Sequence, residues 1–403
     1  MKNINILILE SSLLFILVVT LFRSQFIENR IVILLTAILI LVFILLSFFP
    51  VKSLHFKNIR FFLLISILII IQGYMLIKSV GDRRVGQGSV HDGVIVTEVS
   101  YRALMSGVNP YSVNFGDDLN REKYFGSVPS YAAVHFPYSP MMLFANMPIF
   151  WLSDNLAGFI DMRITLVIFF FLTAFIGTLM VREKTLFLII FLLNPLFVPL
   201  LYYGANDIVI LFFFFLQLCF LHFKKQSLAT VMLALATGTK LLILPLVPLY
   251  FLYLFMLSNK ADKLRIFFKQ FLLFTLVNLI VYLPFLIWNS HDLLEDLIFP
   301  WIGNGILSHP IAGFLGVPQI LSRIGLIPVD SSFPFFLLAL PFLGLLSIFS
   351  FYILKRSAHP ANLCMLFALN ILLLLSFSRL LQTYYLAFIS QILLLSAFSK
   401  ERE

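Results

Sequence analysis

Apolar residues run along this chain in long, nearly unbroken blocks, and polar residues interrupt them in short clusters. The blocks predict helices at about 4–22, 31–49, 61–77, 155–181, 185–203, 207–223, 227–240, 241–257, 265–288, 333–354, 361–376 and 380–398. Apolar runs of roughly 17–25 residues can cross a bilayer core. Hydrocarbon offers no water to the backbone, so such runs fold as helices that satisfy their own N–H and C=O groups. The pattern therefore predicts an all-α polytopic membrane protein with about twelve transmembrane helices, 1–403 forming a single integral membrane domain. Two interruptions stand apart in length: 78–139 after the third span, and 289–332 before the tenth. The run 140–152 is too short to span and carries Trp151 at its end, which predicts a re-entrant or interfacial helix before the fourth span.

Composition agrees. The 403 residues are 61% hydrophobic and 12% charged, where a soluble domain has about half and a quarter. The formal charge of +9 does not point to nucleic acid, because Lys and Arg gather in short loops between apolar runs. With the N-terminus inside, 16 of the 28 basic residues fall on the inner side. Both termini are then cytoplasmic in a multi-pass protein of the inner (plasma) membrane, and both long segments face out. Cys219 and Cys364 lie in spans, as small buried hydrophobes. The first run has no small-x-small cleavage site after it and reads as a retained helix.

Candidate chemistry concentrates in His91–Tyr111. Val94, Val96, Val99, Ala103 and Leu104 are spaced as one helical face, Glu98 and Arg102 form an i, i+4 pair, and Gly107 can end the helix. Asp92 at its start has two compatible readings, helix cap and general base. Lys240, at the tip of a tight hairpin, is either a snorkelling residue or an anion ligand; Arg379, at the outer start of the last span, is either an interfacial anchor or an anion ligand. Asp207 follows Asn206 at the start of a span and is either a cap or a second acid. Tyr131, His135 and Tyr138 precede the short run, as interface aromatics or as lining of a groove. His309 is an acceptor-side candidate in the second long segment. No acidic pair here suggests a metal site; Asp117-Asp118 reads as solvated.

Several short motifs occur in a fixed order. They are Asp92 with Ala103 to Tyr111, Phe136-Pro137-Tyr138-Ser139-Pro140, Tyr203-Gly204-Ala205-Asn206-Asp207, and Thr239-Lys240 followed by Pro245 and Pro248. Together they resemble GT-C membrane glycosyltransferases, closest to the polyprenol-phosphate-mannose-dependent, glycosyltransferase 87-like branch. The resemblance covers roughly 60–260 well, and later only in outline, through Arg379 and Tyr384-Tyr385. It implies a GT-C-like fold and inverting transfer of a hexose, mannose first, from a polyprenyl-phosphate donor to a glycolipid or glycan acceptor. It implies that Asp92 is the base, that Lys240 and Arg379 bind the donor phosphate, and that no metal or other cofactor takes part. Asp207, Tyr131, His135, Tyr138 and His309 would line the sugar and acceptor groove. Membrane lipids are the remaining partners, with no nucleic acid.

Two other readings stay open. A polymerase- or ligase-like envelope transferase would place its functional outer loop late, whereas the informative one here is early. A transporter or flippase would carry charges near the bilayer midplane and broken helices in both halves; here the candidates cluster at helix ends.

Overall fold

The computed structural model describes residues 2–23, 28–46, 54–122, 131–258, 261–298, 310–313, 315–331 and 333–399. The chain runs through α1 (Lys2–Arg23), α2 (Arg30–Leu45), α3 (Leu54–Arg84), α4 (Asp92–Met105), α5 (Gly116–Arg121), α6 (Met141–Ala157) and α7 (Met162–Met180). It continues through α8 (Lys184–Leu192), α9 (Val198–Tyr203), α10 (Asp207–His222), α11 (Gln226–Thr237), α12 (Leu246–Leu257) and α13 (Lys263–Leu297). The last part holds β1 (Ala312–Gly313), α14 (Val317–Arg323), α15 (Phe336–Arg356), α16 (Pro360–Ser376), β2 (Leu380–Leu381) and α17 (Thr383–Phe398). The two strands form a short parallel pair, Ala312 against Leu380 and Gly313 against Leu381.

The core forms around α10, which packs on α7, α11, α16 and α17. Its sequence is apolar on every side and nearly all of it is buried, as a helix surrounded by others requires. Phe170, Phe187, Phe191 and Phe214 are fully buried in the same core. Outer helices behave oppositely. Phe268, Leu272, Ile280 and Ile287 on α13, and Leu345 and Ile348 on α15, are exposed. Apolar surface on this scale is stable only against lipid or a partner.

Four described helices are long and apolar enough to cross a membrane: Lys57–Arg84, Met162–Met180, Lys263–Leu297 and Phe336–Arg356. The twelve expected runs thus resolve into these four and a set of shorter apolar helices, for local reasons. The run 185–203 breaks at Asn194-Pro195 into α8 and α9, because proline has no N–H to donate and Asn194 accepts the Leu196 N–H instead. The run 155–181 becomes helical again only at Met162, since Gly158 adopts φ +64° and ends α6 while Asp161 caps α7. The short run before it forms α6, with Pro148 inside. Both long interruptions are shorter in fact, because α3 continues to Arg84 and α13 passes a kink at Asn289 before ending at Leu297. Cys219 and Cys364 are buried and unbridged.

The polar segment between α3 and α7 is held by charge. The expected Glu98–Arg102 pair does not form. Glu98 faces inward, 3% exposed, and a carboxylate there needs a full set of partners. It takes a two-pronged contact from Arg83 at 3.0 and 2.8 Å, and the Met162 N–H at 2.7 Å. Arg83 also reaches Glu122 at 2.9 Å and Asp161 at 3.5 Å, and Asp161 grips Arg163 at 2.6 Å. This network fastens α3 and α4 to the start of α7. Elsewhere Glu10 of α1 pairs with Arg60 of α3 at 2.8 Å.

Removing one member of a buried ionic set leaves the others uncompensated, at about 3–5 kcal/mol. Arg83→Met should therefore lower thermal stability by that order, whereas Arg102→Ala, on an exposed position, should change it by less than about 0.5 kcal/mol. Thermal unfolding of both variants in nanodiscs distinguishes the two assignments of the Glu98 partner.

Candidate functional site

Four breaks in helical structure come together at one end of the bundle. Lys240 lies in the turn after α11, and its Nζ is 2.7 Å from Oδ1 of Asp207, the first residue of α10. Their side chains are 14% and 3% exposed. The rings of Tyr138, Tyr384 and Tyr385 surround the ammonium, with centroids 5.6, 5.7 and 5.4 Å away. Aromatic faces at that range attract a cation. His91 Nδ1 is 2.8 Å from Asp92 Oδ1, and the His91 ring meets Tyr384 edge-on at 5.7 Å.

Backbone bonds between separate segments set this geometry. The His91 N–H donates to the Tyr203 carbonyl at 2.7 Å, joining the start of α4 to the turn before α10. Ser139 and Met141 donate to the carbonyls of Thr239 and Gly238, joining the approach to α6 to the tip carrying Lys240. The Tyr111 hydroxyl donates to the Tyr138 carbonyl at 2.9 Å. Two glycines permit the close approach. A Cβ on Gly93 would lie 2.3 Å from the Tyr138 phenol oxygen, and one on Gly204, at φ +102°, would lie 2.1 Å from Val94 Cγ2. Real side chains fit neither place.

Two side chains share the cap of the helix at Asp92, since Asp92 Oδ1 also accepts the Gly93 N–H, at 2.7 Å. His91 is the cap residue, its ring accepting the Gly93 N–H at 3.0 Å, and Asp92 is the first helical residue. Nδ1 of His91 thus faces both a backbone donor and a carboxylate. The neutral ring serves Gly93, and the protonated ring donates to Asp92. Burial and, less strongly, the Lys240 charge work against the imidazolium, but the Asp92 carboxylate, with a smaller contribution from Asp207, outweighs them and holds the His91 pKa above the ordinary value of 6.5. Burial likewise opposes the Lys240 charge, but the Asp207 carboxylate outweighs it and holds the ammonium charged, above the ordinary lysine range. Asn206 is also buried here, its side chain beside the Tyr138 phenol.

Of the residues singled out in the sequence, the structure brings Asp92, Asp207, Lys240 and Tyr138 together. Charges on the first three all act on Tyr138. His135 is elsewhere: its ring contacts Asp296 at 2.7 Å, and Asp296 also accepts the Phe136 N–H at 2.8 Å. It braces the segment before α6 against the end of α13. The described side-chain bonds of Arg379 run to the carbonyls of Ser331 and Phe333, not to the Lys240 cluster. A guanidinium 4% exposed needs such acceptors, and these fasten β2 to the segment before α15. The Tyr131 side chain and His309 lie outside the described residues. Two members, His91 and Asn206, were not read from the sequence as site residues. Their signal was adjacency, each standing immediately before a helix-initial aspartate. Among the described residues no group of three His, Cys, Asp or Glu side chains is arranged to hold a metal ion.

Comparison with known proteins adds the family. The profile described as Glycosyltransferase family 87 matches residues 136–378. Asp92 lies before that stretch and Arg379 immediately after it. No curated protein and no solved structure matches the chain. The profile match is continuous through the helices that place Tyr138, Asp207 and Lys240, and it spans more than half of the sequence; the chain belongs to glycosyltransferase family 87.

Proposed function

We propose that the protein transfers a hexose, mannose first, from a polyprenyl-phosphate donor to a glycolipid or glycan acceptor, with inversion at the anomeric carbon. The observation that supports it most is the convergence of an accessible aspartate with a buried lysine. Asp92 has a side chain 29% exposed, while Lys240 and Asp207 lie deeper in the same cluster. In this reading the acceptor hydroxyl attacks the anomeric carbon and gives its proton to the Asp92 carboxylate. The bond from that carbon to the phosphate oxygen breaks, and the electron pair leaves with the lipid phosphate. The transition state has oxocarbenium character. Lys240 meets the charge that grows on the phosphate, where a fixed cation is worth most. In this reading Asn206 and the tyrosines flank the sugar. Lys240 supplies the positive charge that a metal provides elsewhere, so the reading needs no cofactor. Mannose rests on the resemblance to polyprenol-phosphate-mannose-dependent enzymes.

The site end of the bundle is assigned to the outer face of the inner membrane. Lys184, Lys224, Lys225, Lys263 and Lys355 stand at the opposite helix ends, and the positive-inside rule places such loops in the cytoplasm. The long apolar face of α13 offers a polyprenyl chain a lipid-side approach.

The direct test is transfer of label from polyprenyl-phosphate-mannose to a host lipid extract by purified protein in nanodiscs. Wild type should transfer label. Asp92→Asn, still able to accept a backbone N–H, should bind donor normally and lose roughly 100- to 10,000-fold in kcat. Equal rates would remove Asp92 as the base. If wild type leaves this donor untouched but consumes a glucose, galactose or arabinose analogue, mannose is overturned.

Lys240 cannot be tested alone, because its loss would bury Asp207 without a partner. Asp207→Asn with Lys240→Gln removes both charges. Loss of a charge-assisted bond worth about 1.5–3 kcal/mol should weaken donor binding about 10- to 100-fold. Unchanged donor affinity in the double variant would exclude the phosphate role.

A pH profile tests His91. While protonated it occupies an Asp92 oxygen, so kcat/KM should rise as His91 loses its proton, with a midpoint above the ordinary 6.5. His91→Asn should move that limb to lower pH. For stability the sign is opposite: the imidazolium contribution is full below about 6.5 and disappears as pH rises through the elevated pKa.

A further inference from the structure

The end of the bundle away from Lys240 carries a second basic feature that sugar transfer does not use. Helix α10 has 16 residues, about 24 Å of rise, and its far end turns into α11 through Lys224 and Lys225. Here a groove of about 350 Å³ is lined by Lys224, Lys225, Ser227, Leu228, Lys269 and Gln270, among others. Three lysines and no carboxylate line it. Lys224 is the one described non-glycine residue with positive φ, +61°, so the chain accepts an unfavourable backbone conformation where two lysines adjoin. Lys225 precedes α11 without capping it by its side chain, so the first N–H groups of that helix receive no cap from it. Two other lysines at this end are folded onto rings: Lys263 over Phe255 at 4.7 Å and Lys355 over Phe351 at 5.8 Å. Lys224, Lys225 and Lys269 have no ion pair or ring contact among the described residues.

Topology alone asks for basic loops, not for a concave site. The flank of the groove indicates what fills it. Leu228 is exposed at its edge, and α13 beyond Lys269 exposes Leu272, Leu276, Leu279 and Ile280 in successive turns. An apolar ladder that starts at an anion-attracting groove matches one kind of molecule.

We propose that this groove binds the headgroup of an anionic phospholipid, its phosphate between Lys224, Lys225 and Lys269 and its acyl chains along the open face of α13. The lipid would hold the closed end of the α10–α11 hairpin, whose other end carries Asp207 and Lys240.

Titration of the full-length protein in detergent with phosphatidylglycerol or phosphatidylcholine, followed by thermal unfolding and native mass spectrometry, tests this. Wild type should gain stability with phosphatidylglycerol and retain it over phosphatidylcholine. Inorganic phosphate at equal concentration should have little effect. Lys224→Asn with Lys225→Ala and Lys269→Ala should weaken the interaction about 100-fold, at roughly a fivefold factor for each lysine near a charged lipid surface. A control triple variant, Lys184→Ala with Lys263→Ala and Lys355→Ala, should retain it. Equal loss in both variants, an unchanged groove variant, or full reproduction of the shift by inorganic phosphate would each overturn the proposal. If the groove variant does not fold, preferential retention of phosphatidylglycerol by wild type and the control variant, read by mass spectrometry, decides the matter, and retention equal to that of phosphatidylcholine rejects it.

Discussion

An ammonium buried in an apolar bundle needs a carboxylate within bonding distance, and the Lys240–Asp207 contact at 2.7 Å is what fixes the architecture of this end of the protein. Either charge alone would carry a desolvation cost of several kcal/mol. The pair therefore ties the tip after α11 to the first turn of α10. The three tyrosine rings around it then tie in the approach to α6 and the start of α17. Interstrand-like backbone bonds, His91 to Tyr203 and Met141 to Gly238, hold these segments to their neighbours. The site is a product of where helices stop.

Helix ends also suit the charges placed on them. Asp92 and Asp207 are each the first residue of a helix, where exposed N–H groups favour a negative charge. Lys240 follows the C-terminal end of α11, where carbonyls favour a positive one. The ends of ordinary transmembrane helices lie in the headgroup region, so polar groups placed there need not cross the bilayer centre. This arrangement agrees with a transferase better than with a transporter.

Helix positions were legible because length and hydropathy are one-dimensional properties. The amphipathic segment at 92–105 and its stop at Gly107 could be read from residue type and spacing, and Gln72 and Asn278 join helices in the structure. Gln72 accepts from Tyr202 at 2.6 Å, and Asn278 accepts from Thr237 at 2.9 Å. Partner identity was less legible. Glu98 was matched to Arg102 by helical spacing, but its burial directs it to Arg83, a choice set by tertiary packing. His135 and Arg379 carry site-like chemistry on the right side of the chain, yet each is engaged in bracing a loop. The sequence shows that a buried polar group needs partners; it does not show which segment brings them.

The two ionic clusters flanking α4 differ in saturation, and this separates structural from reactive roles. The Arg83 guanidinium meets carboxylates from Glu98, Glu122 and Asp161, so its fork of donors is occupied and a ligand would have to displace a protein partner. Lys240 has three N–H bonds to give, and among the described residues it gives one, to Asp207. Its other neighbours are aromatic faces, which stabilise the charge but are weak acceptors. An ammonium kept charged by its surroundings, with donors still to offer, is suited to receive a phosphate oxygen. In the proposed reaction Asp207 secures that charge in advance, so the cation is already in place for the leaving group.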